Sequence, residues 1–464
     1  MQDLDAVLER QTARVEELRS NATANPTPAA VQALASIHRD RGETLASLGR
    51  MEEAVEDQHA AAGYLSGLVI QAGRADLLDR MTEAGATLRG TLRQLGRSEE
   101  AIEHELGEAQ ILLATGQQER ALSALRRLLD DRRAALEAEK SAERLESFVK
   151  VSTVLGGALF QTERMQEALR VEDEAVQAVG AFGEEQLPFL LSVRANRAVT
   201  LGSMGKGEEA LAELSEVAEG WAKLLAANAN DENLVGALRT TGARADLLVD
   251  LGRADEAMHE LDRALQLAEQ HVDNVPAAGD AVRQILRQQT QVARLQGRLD
   301  KAMAAADRWV ALAQERNQAM PSMETIEELL DAGLERALIL HLVGQHEAAL
   351  ADANQIAGGW QRLAEAQPQR LDVHQRVLMV LDLRERALTE LGRHQEALED
   401  QGMIIEMFRA LLGAGAPPDL QQALAITLER RASTLRALGR HQEADSDLAE
   451  ARKLGATPPP SFLV

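Results

Sequence analysis

The chain has 464 residues, with 74 Asp and Glu against 50 Lys and Arg, and a formal charge of −24. A hydrophobic content of 45% is typical of a folded, core-forming chain rather than a disordered one. The absence of cysteine excludes disulfides, thiolate zinc sites and cysteine nucleophiles. The strong acidity disfavours a phosphate-backbone partner, so we expect no nucleic-acid binding.

The beginning of the chain and its most apolar stretch bear on location. Residues 1–11 contain neither a basic segment nor an apolar one, and this disfavours a signal peptide. The most apolar short stretch, residues 377–381, is far below the roughly 18 residues of a membrane span. We therefore expect a cytoplasmic protein without membrane insertion.

One short phrase, Leu-Gly-Arg followed by acidic residues and an alanine, recurs along the chain. Including looser copies, the closing "anchor" alanines are Ala6, Ala54, Ala101, Ala121, Ala168, Ala210, Ala257, Ala302, Ala349, Ala397 and Ala444. Successive anchors follow one another at a nearly constant spacing of about 47 residues, except for the short step from Ala101 to Ala121. Such a period indicates a repeat architecture.

Each copy predicts a pair of helices. The Leu-Gly pair ends a first helix, because glycine adopts the left-handed conformation that closes a helix. A second helix then begins at the anchor, and in six copies a proline nineteen or twenty positions farther on marks its far end. The sequence therefore predicts about twenty helices in antiparallel pairs and no strands.

These features resemble the tetratricopeptide-repeat family, whose helix-turn-helix unit has about 34 residues. Here the unit is about 47 residues long, as in the longer bacterial version of the repeat. The resemblance implies a right-handed all-α solenoid of about ten repeats over residues 1–454, followed by a Pro-rich tail at 455–464. An irregular step lies near 98–140, where residues 99–115 form one helix shared by two hairpins or where half a repeat was lost.

Charged residues recur at two fixed positions relative to the anchor alanines, and these two sets of equivalent positions are called the charge columns. Where an arginine lies thirteen positions before the anchor, an acidic residue lies three positions after it. Where Leu88, Leu155 or Gln289 replaces the arginine, the acidic residue is missing too. We therefore predict six partly buried ion pairs, Arg41–Asp57, Arg197–Glu213, Arg244–Glu260, Arg336–Asp352, Arg384–Asp400 and Arg431–Asp447. A ligand-facing arginine stack is the alternative interpretation.

The resemblance also implies a concave groove lined by the first helices. Carried onto this sequence, its groove positions predict a partner-binding surface of Lys150, Thr153, Val154, Gly157, Phe160, Gln161, Asn196, Val199 and Ser203, continued by Gly242 and Ala243. Farther along, Arg287 and Arg294 form a basic spot. The alternative is that the small residues only allow tight packing between repeats.

No residue pattern indicates catalysis. Zinc-protease, phosphate-loop and nucleophile-elbow patterns are all missing. His346, His394 and His441 share one turn position and are interpreted as repeat-derived rather than as metal ligands. We expect no enzyme activity, no cofactor and no metal.

The predicted function is a protein-protein interaction scaffold that binds a protein or peptide in its groove. One alternative is a regulatory subunit that senses a peptide or a small ligand. Another is a recognition component acting with a separately encoded protease or signalling effector. A homodimer through a terminal repeat is a further expectation, suggested by the unpartnered Glu9 and the apolar end of the tail.

Overall fold

The computed structural model describes residues 4–272, 274–368, 370–413 and 419–454, and this part of the chain is helical without strands. The chain divides into two compact units, residues 1–228 and 229–464. The predicted tail, 455–464, lies outside the described residues. None of the described helices is long and apolar enough to cross a membrane.

Unit 1, residues 1–228, contains ten α-helices and two short 3-10 turns, Ala75–Leu77 and Glu184–Gln186, in its described part. The helices are α1 (Leu4–Ala24), α2 (Pro28–Ser47), α3 (Met51–Gln71), α4 (Leu78–Gln94), α5 (Ser98–Ala114), α6 (Gln118–Ala138), α7 (Ala142–Gln161), α8 (Met165–Gly180), α9 (Leu187–Ser203) and α10 (Gly207–Ala227).

Unit 2, residues 229–464, contains the other ten helices of the described part. They are α11 (Asp231–Asp250), α12 (Ala254–His271), α13 (Ala277–Leu295), α14 (Leu299–Ala319), α15 (Met323–Leu342), α16 (His346–Ala366), α17 (Leu371–Glu390), α18 (His394–Gly413), α19 (Asp419–Ala437) and α20 (His441–Lys453).

The hairpin turns follow from one backbone conformation. In the turn between α2 and α3, Gly49 has φ +76°, and the Arg50 amide donates to the Leu45 carbonyl at 2.9 Å. This arrangement satisfies carbonyls left free at the helix end. The equivalent turns repeat it with glycine, except between α7 and α8, where Glu163 takes the left-handed conformation at φ 62°.

The short step in the repeat corresponds to one continuous helix, α5. Tight turns at Gly96 and Gly116 join it to α4 and to α6. It also contacts α7, the next first helix along the chain. One helix therefore belongs to two hairpins, as the second helix of one and the first helix of the next.

The anchor alanines lie where the two helices of a hairpin cross. From Ala54 to Ala444 each anchor is 0% exposed. A larger side chain would force the two backbones apart, so this packing explains why alanine recurs at this position. Trp221, Trp309 and Trp360 are also buried, each at 2% exposure. The predicted all-α repeat solenoid is confirmed as the fold class.

Candidate functional site: a groove on the first helices of unit 2

The arginines of the charge columns face the acids sixteen positions later. Each pair joins the first and second helices of one hairpin, with the acid more buried than the arginine. Nitrogen–oxygen distances are 2.6 Å for Arg41–Asp57, 2.8 Å for Arg197–Glu213, 3.2 Å for Arg244–Glu260 and 2.7 Å for Arg336–Asp352, Arg384–Asp400 and Arg431–Asp447.

The first of these pairs has a further partner that the sequence analysis did not identify. The ring of His38 lies 2.7 Å from Asp57, on the same carboxylate that Arg41 holds. Burial raises the pKa of Asp57, but the hydrogen bonds from Arg41 and His38 outweigh it, so the pKa lies below its usual value. Because the carboxylate is engaged on both oxygens, it is committed to the hairpin.

Two hairpins without the regular pair bury other acids, which the sequence analysis missed. In α4 and α5, Arg89 bonds Glu108 and lies 3.8 Å from Glu105. Arg89 and Glu105 are also sixteen positions apart, shifted by one position from the regular columns, and this shift could have revealed them. Between α7 and α9, Glu172 of α8 is buried, and Thr200 donates to it at 3.1 Å.

The groove predicted in unit 1 corresponds to one face each of α7 and α9, two helices in contact. The exposed members are Lys150, Thr153, Gly157, Gln161, Val199 and Ser203, and the half-buried ones are Val154, Phe160 and Asn196. Lys150 is engaged by Glu103 of α5. This surface is therefore accessible, and the charge of Lys150 is already paired.

Unit 2 contains a cavity of about 720 Å³ between α11 and α13. Its lining follows the groove positions that the family resemblance implies for each first helix. These positions are Arg239, Gly242, Ala243 and Asp246 on α11, and Gln284, Arg287, Gln288 and Gln291 on α13. Arg239 and Asp246 were not singled out from the sequence, although counting back from Ala257 reaches both.

Because Gly242 of α11 has no side chain, Gln288 of α13 can approach the backbone of α11 closely. A Cβ atom on Gly242 would lie 3.2 Å from Oε1 of Gln288. The Gln288 amide donates to Asp246 at 3.2 Å and so links α13 to α11. Burial raises the pKa of Asp246, while the hydrogen bond from Gln288 opposes that rise. The hydrogen bond between Gln288 and Asp246 therefore connects the two helices that form the groove.

The charged side chains of the groove differ in whether they form ion pairs within the protein. Asp280 pairs with Arg283, whose guanidinium also lies 3.0 Å from Glu328. Among the described residues, by contrast, no carboxylate lies within ion-pair distance of Arg239 or Arg287. Both arginines are exposed. The groove therefore offers two guanidinium groups that form no direct ion pair within the described part of the protein.

The groove continues toward α15 through a second cavity of about 310 Å³. It shares Asp280, Gln284 and Arg287 with the first cavity and is bordered by the buried Trp309. Arg294, predicted as part of a basic spot, pairs with Glu335 of α15 at 3.2 Å. Of the two predicted arginines, therefore, Arg287 alone borders the groove without an ion-pair partner in the described residues.

Farther along unit 2, ion pairs connect neighbouring first helices. Arg370 lies 2.6 Å from Glu327 and Arg376 lies 3.1 Å from Asp331, both joining the α17 side to α15. Burial raises the pKa of Asp331, and Arg376 and Arg287 act against that rise. These pairs bridge α15 and α17, whereas α11 and α13 leave an open groove. In the described parts of both units, no group of three or more His, Asp or Glu side chains is placed to hold a metal ion.

A family model described as tetratricopeptide repeat matches residues 242–271, which span the second half of α11 and all of α12. Residues 242–271 therefore form a tetratricopeptide repeat. The match begins at the groove glycine, so the repeat that the family model matches is also one that lines the groove. A comparison of the sequence with curated proteins finds no match.

Comparison with solved structures gives matches of low sequence identity. A Signal Transduction ATPase with Numerous Domains from Pyrococcus horikoshii, with a tetratricopeptide repeat sensor, is 11% identical at a TM-score of 0.53, covering 86% of this chain and 52% of that one. BtubC from P. vanneervenii is 18% identical at a TM-score of 0.43, covering 55% and 94%. The apo quorum sensor NprR from B. thuringiensis is 14% identical at a TM-score of 0.45, covering 83% and 99%. The match to the Pyrococcus horikoshii structure, at a TM-score above 0.5, is a likeness of fold alone.

Proposed function

We propose that this protein is a non-catalytic interaction scaffold that binds an extended peptide segment of a partner protein in the groove between α11 and α13. The observation that carries the proposal is the cavity of about 720 Å³ on the first helices, which is lined both by polar side chains and by apolar ones such as Leu238 and Ile285. Helical-repeat proteins typically bind partners on such concave surfaces.

The lining is suited to a peptide main chain. Gln284, Gln288 and Gln291 lie at i, i+4 and i+7 on α13, so their amide groups follow one face of the helix. Amide side chains both donate and accept hydrogen bonds, as a peptide backbone requires. The lining spans residues 277–291 of α13, or about 21 Å at 1.5 Å per residue, which is about six residues of an extended peptide.

The proposal is tested by filling the groove. Gly242→Leu places a side chain against Gln288 and occupies the space between the helices. Gly157→Leu on α7 is the matched control, because a Cβ there meets nothing within 4 Å and because it tests the surface predicted in unit 1. Both glycines are helical, so neither change is expected to unfold the chain.

The readout is affinity purification with each variant, followed by mass spectrometry of the bound proteins. We expect the partners retained by the unsubstituted chain to be lost with Gly242→Leu and kept with Gly157→Leu. The reverse pattern would move the binding surface to α7 and α9. Retention by both variants would show that neither surface binds.

A sensory role is a second proposal. The fold neighbour from Pyrococcus horikoshii is described as having a tetratricopeptide repeat sensor, and this suggests a recognition role beside a separately encoded effector. Small-angle scattering separates the two, because a sensor changes its radius of gyration when a ligand binds and a rigid scaffold does not. The cytoplasmic location and a homodimer through a terminal repeat stay predictions.

A further inference from the structure

We propose that the α11–α13 groove selects peptides by two contacts, an acidic side chain held by Arg239 and Arg287 and an apolar side chain held at the C-terminal ends of α13 and α15. This inference rests on the proposed function and adds the chemistry of the ligand. It commits to an extended peptide of a partner protein as the occupant.

The first contact follows from charge complementarity. The chain has a formal charge of −24, and most of the arginines near the groove are engaged by carboxylates, as Arg283, Arg294 and Arg316 are. Arg239 and Arg287 differ, since no described carboxylate is within ion-pair distance of either one. Both border the same cavity from opposite helices.

The acidic residues of the groove are, in contrast, already committed. Asp280 is held by Arg283, and Asp246 accepts from Gln288. A peptide carboxylate placed between Arg239 and Arg287 would therefore meet two guanidinium groups that form no direct ion pair with a described carboxylate. Hydrogen bonds between guanidinium and carboxylate are among the stronger ones in proteins.

The second contact is proposed at an apolar set of exposed residues at the C-terminal ends of two neighbouring first helices, here called the apolar patch: Leu295, Leu342 and Val343. Leu295 is the last residue of α13 and is 69% exposed, and Leu342 is the last residue of α15 and is 49% exposed. Both lie seven positions before their anchors. At that position most other first helices carry polar or small residues, such as Ser47, Gln94, Ser203 and Asp250.

The geometry fixes the spacing of the two contacts. Gln288, Gln291 and Leu295 share a face of α13, so the apolar patch continues the line of the groove. The eight helical steps from Arg287 to Leu295 span about 12 Å along the helix at 1.5 Å per residue. An extended peptide covers that distance in about three or four residues at about 3.3 Å each. The ligand should therefore carry an acidic residue and an apolar residue three or four positions apart.

The experiment is selection from a displayed library of random ten-residue peptides on the full chain, followed by calorimetry with one selected peptide. We expect enriched peptides to contain Asp or Glu three or four positions from Leu, Ile, Met or Phe. Arg239→Gln combined with Arg287→Gln should weaken the selected peptide about tenfold or more. Leu295→Ser combined with Leu342→Ser should weaken it about fivefold.

Matched controls make the same chemical changes elsewhere in unit 2. Arg452→Gln on α20 removes one exposed charge, and Leu438→Ser removes an exposed leucine beside a hairpin turn. Both should leave the affinity within about twofold. Raising the salt concentration should weaken binding to the unsubstituted chain more than to the arginine double variant.

The outcomes separate this inference from the proposed function. If Gly242→Leu abolishes binding but the enriched peptides lack acidic residues, or the arginine variant binds equally well, the two-contact inference is wrong and the groove proposal stands. If acidic peptides are enriched without an apolar residue, the apolar half is wrong. If no peptide is enriched, the groove proposal itself fails.

Discussion

Units 1 and 2 share a helical hairpin but differ in how often an arginine–acid pair joins its two helices. In unit 2 the arginine–acid pair occurs in the hairpins α11–α12, α15–α16, α17–α18 and α19–α20. In unit 1 it occurs in α2–α3 and α9–α10, whereas α4–α5 uses the shifted Arg89 cluster and α7–α8 buries Glu172, which accepts from a threonine. The backbone of the repeat therefore tolerates several polar interiors, which differ in their response to mutation and pH.

The largest expected effect on stability concerns an arginine–acid pair of the two charge columns, Arg384–Asp400. Asp400 is 0% exposed and holds Arg384, so Asp400→Ala leaves a partly buried guanidinium without its partner. We expect a loss of about 4 kcal/mol in the free energy of unfolding of unit 2, measured by urea titration. Adding Arg384→Leu should recover part of that loss, because it removes the unpaired charge.

The control for this prediction is a solvent-exposed pair in the same unit. Glu443 of α20 pairs with Arg440 at 2.7 Å, and both side chains are exposed. Glu443→Ala should leave the urea midpoint of unfolding nearly unchanged, because solvent screens an exposed ion pair. A double variant of Asp400 and Arg384 less stable than the single variant would contradict the assignment of the pair.

A smaller effect is expected at Glu172, the buried acid of unit 1. Burial raises its pKa to about 7, and the hydrogen bond from Thr200 acts against that rise. The neighbouring charges oppose one another, since Asp173 and Glu213 raise the pKa and Arg197 lowers it. On α7, Gly156 faces Glu172 without a side chain to bond it.

The sign of the pH dependence follows from that shift. Because the folded pKa lies above the unfolded one, the stabilising contribution is complete below about pH 4.5 and is lost as the pH rises through about 7. Glu172→Gln should therefore stabilise the α7–α9 region by about 2 to 3 kcal/mol at pH 8 and by little at pH 4. Native-state hydrogen exchange at residues 165–180 measures it, with the exposed Glu146→Gln as the control. An equal effect at both pH values would contradict the buried-acid interpretation.

The smallest effect concerns the turn between α7 and α8. Glu163 has φ 62° at a position that glycine occupies in the other turns of this kind. Glu163→Gly should raise the free energy of unfolding of unit 1 by about 1 kcal/mol, because a side chain disfavours the left-handed conformation. Gly205→Ala, at φ +80°, should lower it by a similar amount. Calorimetry measures both, and a change of the opposite sign in either variant would contradict the account of the turns.

The sequence predicted the fold well because one pattern repeats. The anchor alanine, the turn glycine and the charge columns recur often enough to define helices and hairpins without a structure. The position of the open groove was harder to predict. Gly157 and Gly242 both fall at groove positions implied by the family resemblance, yet Gly242 faces Gln288 whereas a Cβ atom on Gly157 would meet nothing within 4 Å.

Other features of the candidate site could not be predicted from the residue type at one repeat position. The unpaired state of Arg239 and Arg287 depends on where every nearby carboxylate points, and the pairing of Arg294 with Glu335 connects residues 41 positions apart. The burial of Glu172 depends on three helices packing together. Such properties arise from tertiary packing, which repeat spacing does not encode.

The central claim, that the α11–α13 groove binds a peptide, is tested most directly by hydrogen–deuterium exchange of the full chain with and without a selected peptide. Exchange should slow in the groove segments, residues 235–246 and 277–291, and in the apolar patch at the end of α13. Protection confined to residues 150–161 and 196–203 on α7 and α9 would contradict the claim.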